Sequence, residues 1–316
     1  MKYNGIFKDE IEAFILEKRS LGYKYIREAE IMQEFDKFTI KENITSNILS
    51  KNLIIYWIDS HDVKLITKKH YGDIMREFGK YLFKFDNSSF ILPNKYYPIK
   101  SDFKAYIYSN DELNRFFKSI KTKFMIDNIQ KQSLYYLIFQ LLYATGMRVT
   151  ETLSIKIGDI DFNNKSILLE DCKNGNERIV YLKDSIFNLI IDYHNQYNQQ
   201  KNINNFFFTI KDNKQLNRNL IYSNFRKILV LSDITHNAFG PRVHDFRHTM
   251  AVYSFKNAVD NNYDLLTFLP ILSAYLGHKD IYATEKYLHL VSDMYPDIRN
   301  KIESYNNFKV KDFNNE

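Results

Sequence analysis

Apolar residues follow helical spacing along most of this chain and alternate with a period of two in only one place. The alternating segments are "SILLE" and "ERIVYL", which flank the polar turn "DCKNGN" and predict a β-hairpin. Elsewhere the apolar residues recur every three or four positions, as in amphipathic helices. The pattern predicts a mainly α protein with one small antiparallel sheet.

The longest apolar stretch, "LYYLIFQLLYATG", begins at Leu134 and is interrupted by Gln140. It is shorter than the roughly 20 residues that cross a bilayer, so we interpret it as a buried core helix. The start, "MKYNGIFKDE", lacks the apolar segment of a signal peptide. A single cysteine, Cys172, excludes an internal disulfide framework and a zinc cluster of cysteines alone. These features predict a cytoplasmic protein without a membrane partner.

The chain has 316 residues, and this length favours two domains of roughly 100–200 residues each. A segment with two prolines and no apolar period, "NSSFILPNKYYPIKSDFKAYIYSNDE", follows four helical stretches. Ser109 and Glu112 then form a capping-box pattern that begins a helix. We predict a helical domain over 1–97, a linker over 98–107, and over 108–316 a mixed α/β domain of mostly helices with the small sheet.

A cluster of cationic or potentially cationic side chains lies in "VHDFRHTMAV", which contains His244, Arg247 and His248. The two histidines have the i, i+4 spacing of zinc ligands, but the guanidinium of Arg247 would oppose a divalent cation. An oxyanion fits better, because arginine offers paired donors to phosphate oxygens and histidine exchanges a proton near neutral pH. A purely structural helix, whose polar groups cap neighbouring carbonyls, is the alternative. The net charge of +6 suits nucleic acid, and equally a basic solvated surface.

Three further motifs contain residues suited to chemistry at phosphate. "ATGMRVTETL" supplies Arg148, with Glu151 three positions later, and "CKNGNERIV" places Lys173 in the predicted hairpin turn. "YLGHKD" supplies His278, and Tyr287 follows nine residues later. Each residue type also has an ordinary explanation, as a first-turn carboxylate, a solvent-exposed lysine or a packed aromatic ring.

Together these motifs resemble those of the tyrosine recombinases, the integrases and resolvases that cut and rejoin DNA. The resemblance covers residues 109–290 closely and depends on the order and separations of Arg148, His244, Arg247, His278 and Tyr287. The helical stretches of the first hundred residues are less specifically similar to the SAM-like core-binding domain of the family. The segment "LPILSAYLGH" is similar to that of transposon-encoded members.

The resemblance implies covalent catalysis by a tyrosine. Tyr287 would attack a DNA phosphodiester to give a 3′-phosphotyrosine and a free 5′-hydroxyl, so the bond energy is kept and no ATP is needed. Arg148 and Arg247 would bind the non-bridging oxygens and stabilise the transition-state charge without a metal ion or other cofactor. Tyr275, Tyr282 and Tyr295 also lie in this region, with Tyr282 as the second choice of nucleophile.

The remaining roles are also implied by the resemblance. Lys173 would protonate the leaving 5′-oxygen, His244 would assist deprotonation of the tyrosine, and His278 would hold the scissile phosphate. Glu151 and His248 would support these residues.

The implied partner is double-stranded DNA with an inverted-repeat core site. The family acts as four protomers on two duplexes, so we predict a DNA-dependent homotetramer, associated with the bacterial nucleoid and compatible with an accessory DNA-bending factor. The two domains would clamp the duplex through many phosphate contacts, and binding would weaken steeply with salt. The tail "SDMYPDIRNKIESYNNFKV" has apolar residues at roughly helical spacing, and docking on its own protomer or on a neighbour are equal alternatives.

Other functions remain as alternatives at this stage. A type IB topoisomerase-like enzyme would share the tyrosine chemistry and relax supercoils without exchanging partners, and a telomere resolvase is a further enzyme of this kind. A DNA-binding regulator without catalysis belongs to a different class. The presence of all the attacking and clamping residues favours the recombinase over the regulator.

Overall fold

The computed structural model describes residues 2–94, 96–98, 105–170, 177–210, 213–237 and 240–278, and residues 284, 285, 287, 288, 290 and 291. The chain divides into two compact units, Met1–Asp102 and Phe103–Glu316. The domain limits given above, and the assignment of the first domain to DNA binding, stay predictions.

The first unit is helical throughout its described secondary structure. Trp57 lies at the centre of its core, fully buried, with its ring edge-on to Phe35 and stacked on Tyr71. Both ring pairs have centroids 5.3 Å apart, within the range of favourable aromatic contacts. The helices are α1 (Lys8–Ser20), α2 (Ile26–Lys41), α3 (Lys51–Asp59) and α4 (Leu65–Phe83).

The second unit surrounds a helix that is buried on almost every side. Its described helices are α5 (Asn110–Thr122), α6 (Ile129–Thr145), α7 (Val149–Ser154), α8 (Asp184–Tyr197), α9 (Arg218–Leu231), α10 (Asp245–Asp260) and α11 (Leu265–Leu276). The apolar stretch from Leu134 forms most of α6, which packs against α5, α8 and α10. A helix covered on several faces has no need of a polar face, and this explains why the sequence from Leu134 is apolar on nearly every side.

The small sheet has three antiparallel strands in the order β1 (Ile160–Asp161), β2 (Ser166–Leu169) and β3 (Arg178–Tyr181). The register pairs Ile167 with Val180 and Leu169 with Arg178. The hairpin of β2 and β3 corresponds to the two alternating segments of the sequence. β1 was not predicted, because two residues are too short to show a period.

Helix ends in the second unit follow local sequence rules. The Ser109 hydroxyl accepts a hydrogen bond from the Glu112 backbone N–H, and the Glu112 carboxylate accepts one from the Ser109 backbone N–H, which completes the predicted capping box at α5. The next helix, α6, ends at Gly146, whose φ of +64° is accessible to glycine at little energetic cost.

A separate apolar cluster packs α10 against α11 and against the segment that contains Tyr287. Its buried members include Phe255 from α10, Leu276 from α11, and Tyr287 with Leu288. The described residues of that segment, 284, 285, 287, 288, 290 and 291, are helical. This cluster brings the candidate nucleophile against the helix that contains Arg247.

The predicted fold class is confirmed: a mainly α chain with a small antiparallel sheet in its second unit. No helix in the described part of the chain combines the length and the apolar character needed to cross a membrane.

Candidate active site

The first turn of α10 contains three buried polar side chains, those of Asp245, Arg247 and His248. His244 is the exposed residue that precedes the helix, whereas Arg247 and His248 are buried. The Asp245 carboxylate accepts a hydrogen bond from the Arg242 backbone N–H at 2.7 Å, which fixes the start of the helix. Of the three cationic or potentially cationic residues of the motif, His244 therefore faces solvent, and Arg247 and His248 face the interior.

Arg247 joins the ends of two other helices. Its Nη1 donates to the carbonyl oxygen of Gly146 at 2.7 Å, and its Nη2 donates to that of Leu276 at 2.7 Å. Burial, together with the neighbouring charge of Arg148, lowers the pKa of Arg247 to about 10. The guanidinium thus stays cationic at neutral pH, at the point where α6 and α11 end.

Arg148 lies at the start of α7 and forms a buried ion pair. Its Nη1 donates to Oε1 of Glu151 at 2.6 Å, and its Nη2 donates to the carbonyl oxygen of Gly277 at 3.2 Å. Burial raises the pKa of the Glu151 carboxyl, but hydrogen bonds from Arg178 and Arg148 outweigh this and leave it lowered. The carboxylate is therefore ionised and orients the arginine.

Tyr287 is fully buried, and its hydroxyl lies 2.9 Å from Nδ1 of His248, within hydrogen-bond distance. Burial raises the pKa of Tyr287 to about 12, although the charges and hydrogen bonding of the nearby arginines lower it. The phenol is neutral near pH 7 and needs a proton acceptor when it reacts. Nδ1 of His248 lies within hydrogen-bond distance of the hydroxyl, which the Arg247 side chain also hydrogen-bonds.

His278 follows α11 and is oriented by a threonine. Its Nδ1 lies 2.6 Å from the hydroxyl oxygen of Thr284, a fully buried residue. Its ring is stacked on that of Tyr287, with centroids 6.4 Å apart. This contact leaves the other ring nitrogen, Nε2, on the opposite edge of the imidazole.

The structure brings Arg148, Glu151, Arg247, His248, His278 and Tyr287 into one connected site. His244 borders the site, with its exposed ring edge-on to His248 at a centroid distance of 4.8 Å. Lys173 belongs to the connection between β2 and β3 and lies outside the described residues, as do Tyr282 and Tyr295. Tyr275 lies at the end of α11, where its carbonyl oxygen accepts a hydrogen bond from Arg178.

The zinc alternative finds no support in the site geometry. Among the residues that the structure describes, no group of three or more His, Cys, Asp or Glu side chains is arranged to hold a metal ion. His248 is instead directed at the Tyr287 hydroxyl.

Comparison with known proteins agrees with this arrangement. Residues 108–293 match the phage integrase family. The chain belongs to this family. The resemblance to tyrosine recombinases and integrases that the motifs indicate is therefore confirmed, and the matched range includes Arg148, Arg247, both histidine motifs and Tyr287.

Relatives of this integrase-family chain have consistent names. The Sinorhizobium fredii protein y4rB, whose name describes an integrase/recombinase, is 26% identical over 297 residues, 89% of this chain and 92% of that protein. Tyrosine recombinase XerA of Saccharolobus solfataricus is 33% identical over 174 residues, 55% of this chain and 51% of that protein. Tyrosine recombinase XerC of Staphylococcus aureus NCTC 8325 is 26% identical over 270 residues, 81% of this chain and 82% of that protein.

Solved structures show the same fold. The XerH site-specific recombinase bound to a palindromic difH substrate aligns with a TM-score of 0.64 at 21% identity, over 87% of this integrase-family chain and 78% of that chain. A lambda integrase dimer bound to a COC′ core site aligns with a TM-score of 0.62 at 14% identity, over 88% of this chain and 94% of that chain.

Two site residues of this family member were missed by sequence reasoning. Arg178, whose side chain is 10% exposed, and fully buried Thr284 each contact a predicted site residue. Arg178 had a usable signal, because it shares the inward face of its strand with buried Val180, and an arginine there requires an internal counter-ion. Thr284 offered no comparable signal, because the hydroxyl of a helical threonine can hydrogen-bond to nearby backbone and needs no partner from elsewhere in the site.

Proposed function

We propose that this chain is a site-specific DNA recombinase that cleaves and rejoins DNA through a covalent bond to Tyr287. One observation carries the proposal: the hydroxyl of buried Tyr287 lies beside His248, close to the charges of buried Arg247 and half-buried Arg148, which come from distant parts of the chain. Membership of the phage integrase family supports the same conclusion.

The reaction exchanges one phosphoester bond for another. The Tyr287 oxygen attacks the phosphorus, the bond from phosphorus to the 5′-oxygen breaks, and the 3′-phosphate stays on the tyrosine. Arg148 and Arg247 face the negative charge that develops on the non-bridging oxygens, and both are already held by carbonyl or carboxylate oxygens. Attack by a free 5′-hydroxyl on the phosphotyrosine then rejoins the strand.

Two proton transfers accompany cleavage. The phenol loses its proton, and His248 is placed to hold the hydroxyl and to accept it, since its Nδ1 is 2.9 Å away. His244 keeps the sequence-based role of assisting this step through its edge contact with His248. Lys173 is proposed to give a proton to the leaving 5′-oxygen, and His278 to contact the phosphate.

The proposed partner is double-stranded DNA with an inverted-repeat core site, bound by a homotetramer that assembles on DNA. Solved relatives support this, because one is a lambda integrase tetramer bound to a Holliday junction and another is a Tn1549 transposon integrase in complex with transposon right end DNA. Exchange between two duplexes needs paired cuts, which a single active site cannot make. Nucleoid association and an accessory DNA-bending factor follow as parts of the same proposal.

The test of cleavage uses a pool of duplexes with randomised inverted-repeat arms and a nick near the centre, incubated in EDTA. We expect a denaturation-resistant adduct between protein and DNA, and sequencing of the captured duplexes identifies the site. Tyr287→Phe should form none, and Tyr282→Phe is the matched control that should form it normally. An equal yield from Tyr287→Phe, or no adduct from the unaltered chain, would contradict the proposal.

The role of Lys173 is tested by changing the leaving group. A duplex with sulfur in place of the bridging 5′-oxygen releases a thiolate, which needs no proton from an acid. Lys173→Ala should cleave ordinary DNA much more slowly and the sulfur-containing duplex nearly normally. The same defect on both duplexes would remove Lys173 from this step.

Strand exchange distinguishes the recombinase from its rivals. Two duplexes that carry the captured site should yield recombinant products in which flanking sequences are exchanged. Relaxation of a supercoiled plasmid without exchange would instead identify a topoisomerase-like enzyme, and binding without an adduct would identify a regulator.

A further inference from the structure

Arg178 is a largely buried arginine that begins β3, after the connection that contains Lys173. Only 10% of its side chain is exposed. A guanidinium at this depth has to be paired, because burial of an uncompensated charge is costly. Its partners therefore show what the residue does.

The guanidinium spans two elements of the site. Nη2 donates to Oε2 of Glu151 at 2.8 Å, Nη1 donates to Oε1 at 3.3 Å, and Nε donates to the carbonyl oxygen of Tyr275 at 3.1 Å. A paired contact to both carboxylate oxygens fixes the plane of the carboxylate as well as its position. Arg178 thus holds Glu151 in one orientation and ties it to the end of α11.

The contacts that fix Arg148 depend on the same two elements. Glu151 accepts hydrogen bonds from both Nη1 and the backbone N–H of Arg148, at 2.6 and 2.9 Å. The remaining contact of Arg148 in this network is the Gly277 carbonyl oxygen, two residues after Tyr275. Arg178 therefore holds in place both elements that hydrogen-bond Arg148: the Glu151 carboxylate and the end of α11.

The net charge of the group formed by Arg148, Glu151 and Arg178 is a second reason why Arg178 is needed. Arg148 and Glu151 alone form a neutral pair, in which the carboxylate offsets the charge that a phosphate would meet. With Arg178 the group carries one net positive charge, so Arg148 is both oriented by a carboxylate and still able to attract an anion. Burial is the main cause of the lowered pKa of Arg247, and the charges of Arg148 and Arg178 lower it further. The three guanidinium groups are therefore close enough to interact electrostatically.

Packing at Gly277 supports a close fit. Gly277 has a φ of +66°, and a Cβ atom built there would lie 2.7 Å from Nη1 of Arg178. Any larger residue before His278 would displace the Arg178 guanidinium. The glycine of the "LGH" motif thus makes room for this arginine.

We infer that Arg178 is a positioning residue, which fixes Glu151 and the end of α11 so that Arg148 contacts the scissile phosphate in the correct place. Arg178 also keeps the net charge of the group positive, so that Glu151 does not cancel the attraction of Arg148 for the phosphate. The inference rests on the proposed role of Arg148 in the recombinase. Misplacement of a catalytic group by about 1 Å can slow a reaction by roughly a hundredfold.

The test compares two forms of the captured duplex, with an ordinary phosphate or a neutral methylphosphonate at the cleaved position. Arg148 acts on phosphate charge, so the slowing caused by Arg148→Ala should shrink on the neutral duplex. Arg178→Lys keeps the charge but cannot bond both carboxylate oxygens in a fixed plane. It should slow adduct formation on ordinary DNA by roughly tenfold or more, leave DNA affinity nearly unchanged, and show the same shrinkage on the neutral duplex.

Ser109→Ala is the matched control, because it removes the Ser109–Glu112 cap of α5, whose hydrogen bonds involve no residue of the site, and it should change the rates on the two duplexes equally. Equal slowing of the two duplexes by Arg178→Lys, or no slowing, would overturn the inference. So would an Arg178→Lys chain that no longer folds or binds the duplex, because Arg178 would then have only a structural role.

A second measurement does not depend on cleavage. Unfolding midpoints are compared for Arg148→Gln, Arg178→Lys and the double variant. If the two arginines share Glu151, the loss in the double variant should fall short of the sum of the single losses, whereas additive losses would contradict the coupling. If the unaltered chain forms no adduct, the proposed function fails while this measurement still decides the coupling.

Discussion

Replacement of Glu151 by glutamine removes the charge that joins Arg148 to Arg178 while keeping the side-chain volume almost unchanged. Each carboxylate oxygen accepts two hydrogen bonds: Oε1 from Nη1 of both arginines, and Oε2 from the Arg148 backbone N–H and from Nη2 of Arg178. An amide has one acceptor oxygen and one NH₂ group. In either orientation its NH₂ group would therefore point at two donors.

The cost follows from burial. Only 4% of the Glu151 side chain is exposed, against 20% for Arg148 and 10% for Arg178, so solvent screens the pair poorly. Breaking a buried ion pair costs about 3–5 kcal/mol, and partial exposure of Arg148 places the expected loss near about 3 kcal/mol. For a domain of this size that corresponds to a decrease in Tm of about 6–12 °C.

The pH dependence of the melting temperature tests this explanation. The pKa of Glu151 is lowered in the folded chain, so its stabilisation is present above the ordinary carboxyl pKa and is lost as pH falls through the lowered value. We expect Glu151→Gln to melt well below the wild type at pH 7 and the gap to narrow in acid. The assay is thermal unfolding followed by circular dichroism, with exposed Glu170→Gln as control. A Tm equal to that of the control at pH 7 would refute the reasoning.

Three further predictions concern the same site. Gly146→Ala should lose about 1–2 kcal/mol in urea unfolding because φ is +64°, and it should slow adduct formation by moving the carbonyl that binds Arg247; wild-type stability would contradict this. Thr284→Val should slow adduct formation about tenfold by removing the hydroxyl that orients His278, an effect of about 1.4 kcal/mol, whereas Thr284→Ser keeps the hydroxyl and should remain near the wild-type rate. Tyr287 has a raised pKa, so its folded state loses stability as pH rises from about 10 towards about 12. Between about pH 8 and about pH 11 the free energy of unfolding should fall by about 1.4 kcal/mol more in the wild type than in Tyr287→Phe. Equal decreases in the two chains would show that the pKa of Tyr287 is not raised.

Most of the fold could be predicted because it depends on local patterns. Helical spacing located the helices, and the change to period two located the hairpin of β2 and β3. The strand β1 could not be found in this way, since it pairs two residues and is created by its neighbour, Ile160 lying opposite Ile167. Short elements of this kind exist only because a partner strand supplies their hydrogen bonds.

The sequence by itself determined which chemical groups the site contains, because order and spacing of the motifs indicated the family that comparison confirmed. Only the tertiary structure decided how they are oriented. His244 and His248 are one helical turn apart and chemically alike, yet packing of the Tyr287 segment on α10 placed His248 at the hydroxyl. Arg178 entered the site for the same reason: Glu151 and Tyr275 are distant from it in sequence, and a contact between distant residues is set by how helices and strands pack, which no local pattern records.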